Sequence, residues 1–231
     1  MKLSVVIPAY NTARYIAEAI GSVLVQLPEG AEMIVVDDGS TDETAAIAEG
    51  FGAPVRVVRA EHAGIGATVN RCMSEARGEL IATIDADDRW LPDKTALQLA
   101  ALEADPALDA VFGYVRQFLT PELTGSERFA FSTEPMPGLI RGTMLIRRAA
   151  WERAGPIETT LAAGEFISWY ARAIDAGLRT RMLADVVYER RVHDRNTATH
   201  GAQGDYLRVV KATLDRRRAR VPAPPEESGA E

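Results

Sequence analysis

The sequence has only one cysteine, Cys72, among its 231 residues. A lone cysteine excludes an internal disulfide and a zinc site built from cysteines. No stretch reaches the roughly 18 unbroken apolar residues that a membrane-spanning helix needs. The first residues also lack the apolar region and the cleavage site of a signal peptide. We therefore expect a cytoplasmic protein with no transmembrane segment.

Positive charge is scarcer than negative charge, and the formal net charge is -7 with a sequence pI of about 5.2. An acidic chain is poorly suited to a phosphate backbone, so we expect no nucleic-acid partner. The exception is the basic run at residues 216–220, which ends a predicted helix. A solvated helix end explains this run most simply, and peripheral contact with acidic lipids is the alternative.

The composition, 47% hydrophobic and 26% charged, is that of an ordinary globular domain. Apolar strands alternate with helical patterns over the first hundred residues, which predicts an α/β fold with a mostly parallel, Rossmann-type sheet flanked by helices. The predicted strands cover residues 3–7, 33–36, 55–58, 80–84, 109–118, 142–146 and 186–188. The predicted helices begin near residues 12 and 41 and cover residues 64–76, 89–102, 148–154, 165–176 and 204–217.

The predicted organisation is one domain over residues 1–220, followed by a disordered tail at residues 221–231 with too little apolar surface to fold. Within the domain, residues 1–118 form an N-terminal half and residues 119–220 a C-terminal half. Residues 119–138 are rich in turn-forming residues and too long for an ordinary connection. We expect a functional loop or a lid there.

Three carboxylates stand within four residues at the end of the fourth predicted strand, at Asp85, Asp87 and Asp88. Carboxylates this close repel one another and raise each other's pKa unless a cation lies among them. Asp37 and Asp38 follow the second strand in the same way, and ligands of open α/β sheets bind beyond the carboxyl ends of the strands. Both loops should therefore border one crevice that suits a divalent cation and phosphates. A solvated acidic turn is the alternative for the first cluster.

An ordered set of short motifs runs along most of the chain. The motifs are residues 5–11, 36–42, 76–82, 85–88, 141–148, 164–165, 176–179 and 188–193. Each motif alone is weak, but their order over residues 2–199 closely resembles the family 2 glycosyltransferases, which have the GT-A fold. The resemblance implies a single GT-A-like domain that transfers a sugar, with inversion, from a nucleotide-diphosphate sugar to an acceptor.

The resemblance also implies which residues hold the nucleotide. Pro8, Ala9 and Tyr10 match the edge of the nucleotide pocket. Asp38 matches the carboxylate that hydrogen-bonds the base, whereas Asp37 is expected only to support the turn. Residues 1–118 are thus the predicted nucleotide-sugar-binding half.

The acidic cluster matches the family's Asp-x-Asp site, which holds ribose, diphosphate and a divalent cation, Mg²⁺ or Mn²⁺. Asp85 and Asp87 are predicted to hold the donor, and Asp87 and Asp88 to hold the metal. His193 matches a histidine near the diphosphate and is a third predicted metal ligand, with a surface histidine as the alternative. Arg191 is predicted to neutralise phosphate, with Arg190 as the other candidate.

One position departs from the family pattern. The family has Gly-Glu-Asp where this chain has Gly164, Glu165 and Phe166, and that aspartate is the base that deprotonates the acceptor. Phe166 cannot accept a proton. Three explanations stay open: Glu165 is the base, another residue is the base, or the acceptor is a thiol that needs little deprotonation. We favour Glu165.

The acceptor is not identifiable from the sequence. Residues 119–220 form the predicted acceptor-side half, and a glycan, a lipid-linked molecule, a small molecule and a peptide are all compatible with them. Two other functions compete with transfer. A non-catalytic or degenerate sugar-nucleotide-binding protein is compatible with Phe166, whereas a sugar nucleotidyltransferase would need a glycine-rich loop after the first strand, where this chain has Pro8 to Asn11.

Overall fold

A computed structural model describes residues 2–120, 123, 132–161 and 163–193. The predicted helix at residues 204–217, the tail at residues 221–231 and half of the predicted loop at residues 119–138 lie outside these residues. In the described part of the chain, no helix is long and apolar enough to cross a lipid bilayer.

One nine-stranded sheet organises the described residues, in the order β3-β2-β1-β4-β8-β6-β9-β5, with β7 paired to β6. The strands are β1 (Leu3–Ala9), β2 (Glu32–Asp37), β3 (Val55–Arg59), β4 (Leu80–Thr83), β5 (Arg89–Trp90), β6 (Ala110–Leu119), β7 (Met136–Pro137), β8 (Leu145–Arg147) and β9 (Thr180–Val192). The first four strands pair in parallel, as predicted. Beyond β4 the sheet is mixed, because β8 runs antiparallel to both β4 and β6 whereas β6 and β9 are parallel.

Helices cover both faces of this sheet. They are α1 (Ile16–Leu24), α2 (Thr44–Glu49), α3 (Ile65–Glu75), α4 (Lys94–Ala104), α5 (Arg148–Ala154) and α6 (Glu165–Asp175), and a 3-10 turn (Arg141–Thr143) precedes β8. Successive strand residues point to opposite faces. Val5 and Ile7 therefore pack in the apolar core with α1, α2 and α4, whereas Val6 packs in a second core with α3, α5 and α6. The predicted α/β architecture is confirmed.

Two predicted helix starts are wrong. Residues 89–90 do not open a helix: Arg89 and Trp90 pair with Glu189 and Tyr188 of β9, and α4 begins only at Lys94. That pairing joins residues about a hundred positions apart, so a local pattern does not reveal it.

The predicted start of α2 near residue 41 is also wrong. The Ser40 hydroxyl accepts the main-chain N–H of Asn11. The first turn is arranged by Asp42, whose Oδ1 accepts the Thr44 N–H at 3.0 Å, and the helix begins three residues later than predicted.

The last strand is much longer than the predicted residues 186–188. β9 runs for 13 residues, from Thr180 to Val192. The sequence pattern does not reveal the polar end of this strand. Glu189 and Arg191 lie in β9 and His193 directly follows it, and all three side chains are buried although they are polar. Arg191 and His193 contact the acidic loop that follows β4, whereas Glu189 pairs with Arg89 and Arg116. In the same region, Arg141 to Thr143 form a 3-10 turn, and the strand predicted at residues 142–146 is reduced to β8.

Lys94 is a fully buried cation at the start of α4. Its Nζ donates to Gln98 Oε1 at 2.6 Å and lies 4.1 Å from the Trp90 ring centre. No carboxylate among the described residues pairs with it, and burial lowers the pKa of the Lys94 ammonium group to about 7. The charged form of Lys94 therefore destabilises the folded state.

We expect Lys94→Met to raise the free energy of unfolding, by a few kcal/mol at pH 6. Between pH 7 and the ordinary pKa of lysine, the unfolded chain binds more protons than the folded chain, so the penalty decreases as pH rises. The gain should therefore be largest below pH 7 and vanish above about pH 10.5. Urea unfolding across this pH range measures it. The exposed Lys2→Met is the control, and a gain at Lys94 that does not vary with pH would contradict the assignment.

Candidate active site

A cavity of about 1120 Å³ lies beyond the carboxyl ends of β1, β2 and β4. The described residues that line it come from seven segments, including both acidic loops. Among them are Pro8, Ala9, Tyr10, Asp38, Asp85, Asp87, Asp88, Glu165, Arg190 and His193. The expected convergence of the two acidic loops on one crevice is confirmed. It follows from the parallel pairing of β1 with both β2 and β4, which brings the carboxyl ends of these strands together.

Asp38 organises the wall of the cavity beside β1. Its Oδ1 accepts the Ala63 N–H at 2.9 Å, and its Oδ2 accepts the Gly64 N–H at 3.0 Å and lies 2.9 Å from His62 Nδ1. Gly39 has a φ of +72° and allows its loop to lie close to His62, because a Cβ at this position would be 2.9 Å from the main-chain nitrogen of His62. Three partners inside the protein thus already occupy the carboxylate that was predicted to bind the base.

His62 is a cavity residue that lies in none of the sequence motifs. Its ring stacks on the Tyr10 ring, with the centroids 4.2 Å apart and the planes inclined by 23°. The Tyr10 side chain is also well exposed, so its ring offers an aromatic surface to the cavity. Only the fold brings the two rings together, because no motif links their positions in the sequence.

Asp87 and His193 meet at the opposite wall of the cavity. His193 Nε2 lies 2.8 Å from Asp87 Oδ2, and both side chains are largely buried. The imidazole also packs 4.9 Å from the Tyr15 ring centre. The end of β9 therefore brings a nitrogen donor to the acidic loop that follows β4.

Asp88 has both carboxylate oxygens engaged with the protein. Its Oδ2 accepts the Tyr188 hydroxyl at 2.9 Å, and its Oδ1 accepts the Arg191 N–H at 2.7 Å. Burial raises the pKa of the Asp88 carboxyl well above its ordinary value, and the charges of Asp87 and Asp85 add to the rise. This geometry favours a supporting role for Asp88, and its predicted contact with a metal stays a prediction.

Arg191 is predicted to neutralise phosphate, and this role stays a prediction. Its Nε donates to the Asp87 carbonyl at 2.8 Å, its Nη2 pairs with Glu18, and its guanidinium lies 4.8 Å from the Tyr15 ring centre. Arg190, and not Arg191, is among the described residues that line the cavity. Arg191 is instead engaged in holding the acidic loop, so Arg190 is the better placed of the two to meet phosphate.

Arg141 lies on the floor of the cavity, and sequence reasoning assigned it no role although it opens one of the motifs. Its Nη1 donates to Glu165 Oε1 at 3.0 Å, and its Nη2 pairs with Asp85 Oδ1. Burial alone would lower the pKa of the guanidinium, but the adjacent carboxylates Asp85 and Glu165 raise it above its ordinary value. One buried cation therefore joins a predicted donor residue to the predicted base.

Phe166 is part of the core. Its ring stacks on Trp169 at 5.5 Å and meets Phe112 edge-on at 6.4 Å. Trp169 is itself fully buried. A carboxylate at position 166 would lie among aromatic rings, so the neighbouring Glu165, at the first turn of α6, is the carboxylate presented to the cavity.

The potential metal ligands of the cavity suit a cation whose coordination shell is completed by the substrate. Among the described residues no three histidine, cysteine, aspartate or glutamate side chains converge as ligands of an ion. Mg²⁺ commonly takes only one or two carboxylates and fills its remaining positions with water and substrate phosphates. Asp87 and His193, in mutual contact at the cavity, fit that requirement.

The chain belongs to glycosyl transferase family 2. The sequence model of that family matches residues 4–155, which is more than half of the chain. The predicted class, a family 2 glycosyltransferase with a GT-A-like fold, is confirmed.

Two relatives resemble it over most of its length. The succinoglycan biosynthesis protein ExoU of Rhizobium meliloti is 32% identical over 90% of this chain and 67% of its own length. An uncharacterized glycosyltransferase of Rickettsia typhi is 29% identical over 84% of this chain and 65% of its own length. The chain thus spans about two thirds of these relatives.

Two solved structures share the fold. One is Staphylococcus aureus TarS 1-349 in complex with UDP-GlcNAc, with a TM-score of 0.74 and 21% identity over 93% of this chain and 66% of that chain. The other is the mannosyltransferase PcManGT from Pyrobaculum calidifontis in complex with GDP-Man and Mn²⁺, with a TM-score of 0.65 and 24% identity over 96% of this chain and 66% of that chain.

We expect Asp38→Ala to lower the free energy of unfolding, because it leaves two main-chain N–H groups at Ala63 and Gly64 without their acceptor. An unpaired donor costs about 1–3 kcal/mol where it is buried, and less where water replaces the carboxylate, as it can at the exposed Ala63. Urea unfolding measures the loss, and hydrogen exchange at the two amides locates it. Asp38→Asn keeps one acceptor oxygen and should lose less. Equal stability of Asp38→Ala and the parent would show that Asp38 does not hold this loop.

Proposed function

We propose that the chain transfers a sugar, with inversion, from a nucleotide-diphosphate donor to an acceptor, with the help of a divalent cation. The observation that carries this proposal is the single cavity beyond the carboxyl ends of β1, β2 and β4, which holds Tyr10, Asp87 and Glu165 together. The ligands of the two solved neighbours, UDP-GlcNAc and GDP-Man with Mn²⁺, support a donor of this class.

The donor would span the cavity from the stacked rings to the acidic loop. Tyr10 offers its ring for stacking on the base, and Pro8 and Ala9 form the adjacent wall. Asp38 would act on the base mainly by positioning His62 and the loop behind it. The ribose and diphosphate would then reach the side of Asp85, Asp87 and Arg190.

Asp87 and His193 would hold Mg²⁺ or Mn²⁺, which when bound stabilises the negative charge of the departing diphosphate. Arg190 contributes positive charge to the cavity wall near the diphosphate. Asp88 stabilises the geometry of the site, because its carboxylate accepts hydrogen bonds from the Tyr188 hydroxyl and the Arg191 main-chain N–H.

Glu165 would be the general base. Its Oε1 is occupied by Arg141, whereas its Oε2 accepts no hydrogen bond in the described part of the chain. As the acceptor oxygen forms its bond to the anomeric carbon, the bond from that carbon to the diphosphate breaks on the opposite face. The acceptor proton passes to Glu165, and the nucleoside diphosphate leaves with the bonding electrons.

A non-catalytic sugar-nucleotide-binding protein is the second candidate, and one observation favours it. Phe166 is packed in the core, so the family's usual carboxylate cannot be restored there without burying a charge. Donor turnover separates the two functions, since only the enzyme releases sugar from the donor. The predicted cytoplasmic location accompanies this proposal as an expectation, and lipid contact by residues 216–220 stays the alternative to a solvated helix end.

Asp87→Asn should remove the part of donor affinity that depends on Mn²⁺, because a neutral amide is a weaker ligand than a carboxylate. Isothermal titration with UDP-GlcNAc and GDP-mannose, each with and without Mn²⁺, measures this part. Asp88→Asn is the matched variant and should retain more of the metal-dependent affinity, since its oxygen atoms are engaged with the protein. If the two variants lose the same metal dependence, Asp88 is a ligand as well.

Glu165→Gln should lower the turnover of the donor by about 10²- to 10⁴-fold, the usual contribution of a general base. Donor affinity should change little, because the lost interaction forms only during proton transfer. Steady-state kinetics and titration with the same donor measure the two effects separately. Turnover at the parental rate would rule out Glu165 as the base and leave another residue or a thiol acceptor as the explanation.

A further inference from the structure

Arg141 forms the only described link between the two carboxylates that border the reaction centre of the proposed function. Its side chain is 9% exposed, and the side chains of Asp85 and Glu165 are 33% and 12% exposed. One guanidinium nitrogen pairs with each carboxylate. The separation of the two carboxylates is therefore set by the width of a single rigid group.

The backbone that carries Arg141 is itself held from below. The Arg141 carbonyl accepts the Thr83 hydroxyl at 2.5 Å, and the Thr143 carbonyl accepts Gln98 Nε2 at 2.7 Å. Gln98 is 1% exposed and also donates to the Val111 carbonyl at 3.1 Å. The turn is thus bonded to β4 and α4, and through Gln98 to β6, so the guanidinium enters the cavity from a fixed point.

The contacts of Arg141 indicate a function beyond charge neutralisation. Its Nε is buried and has no hydrogen-bond partner among the described residues. A buried donor without a hydrogen-bond partner is unfavourable. The two carboxylates therefore set the position of the guanidinium, although this position leaves its Nε without a hydrogen bond. A lysine could neutralise charge here, but only the planar fork of arginine can reach two separate acceptors in a fixed geometry.

We propose that Arg141 is a positioning residue of the transfer reaction: it holds Glu165 at a fixed separation from Asp85, and so aligns the base with the anomeric carbon of the bound donor. The inference rests on the proposed function, because it takes Glu165 as the base and Asp85 as a donor contact. Arg141 compensates in this way for the loss of the family's carboxylate at Phe166. It acts through Glu165 and does not itself take the proton.

A double-mutant cycle between Arg141 and Glu165 tests this proposal. The reaction is the hydrolysis of UDP-GlcNAc and of GDP-mannose with Mn²⁺, in which water serves as the acceptor, its proton passes to the base, and sugar and nucleoside diphosphate are released. Arg141→Met should lower kcat by about 10²-fold, the size of effect that a small misplacement of a catalytic group produces. Donor KM should change by a smaller factor.

The double variant decides whether Arg141 acts through Glu165. Arg141→Met added to Glu165→Gln should lower kcat no further than Glu165→Gln alone, because a misplaced base and a missing base are equivalent. Multiplicative effects of the two substitutions would overturn the proposal. Arg141→Lys keeps the charge without the fork and should also have a low kcat, whereas parental kcat in this variant would overturn the proposal. This variant decides the question if Arg141→Met does not fold.

Arg148→Lys is the matched control, because Arg148 also donates to main-chain carbonyls near the sheet, at Gly78 and Ala76, but does not line the cavity. It should lower the melting temperature and leave kcat unchanged. If the parent neither binds nor hydrolyses either donor, the proposed function fails and this inference with it. If the parent is active and the effects of the two substitutions on kcat multiply, the proposed function stands and only this inference fails.

Discussion

Electrostatic repulsion among carboxylates is the constraint on which the rest of this structure depends. A parallel sheet brings the ends of its strands to one edge, and in this chain those ends carry Asp38 and the acidic loop of residues 85–88. Each of these carboxylates has a partner from another element. Asp38 meets His62 and main-chain amides, and Asp85 meets Arg141. Asp87 meets His193, and Asp88 meets Tyr188 and the main chain of Arg191. These partners are charged, titratable or polar, so the edge is compact yet retains room for a cation and phosphates.

The N-terminal half could be predicted well because its information is local. The apolar runs at β1, β2 and β4 are each short and bounded by turn residues, and each is followed by a helical pattern. The position of Asp38 and Asp85 at the same crevice then follows from topology alone. The family motifs supplied the assignments of Tyr10 and Glu165, which periodicity does not reveal.

The parts that could not be predicted depend on contacts between distant residues. Arg89 and Trp90 become a strand only because β9 lies beside them, and the polar end of β9 is buried only because the acidic loop receives it. The stacking of His62 on Tyr10 and the double ion pair of Arg141 arise in the same way. A sequence pattern measures local preference, and none of these contacts is local.

The mixed order of the sheet bears on how such a protein can be altered. β8 lies between β4 and β6, and β5, from residues 89–90, finds its strand partner in β9. Strands from before and after residue 119 are therefore interleaved in one sheet. A chimera that joins residues 1–118 of this chain to the remainder of another family member would need a matching β8 and β9 to complete the sheet. Recombination should therefore succeed more readily through exchange of exposed loops than through exchange of halves.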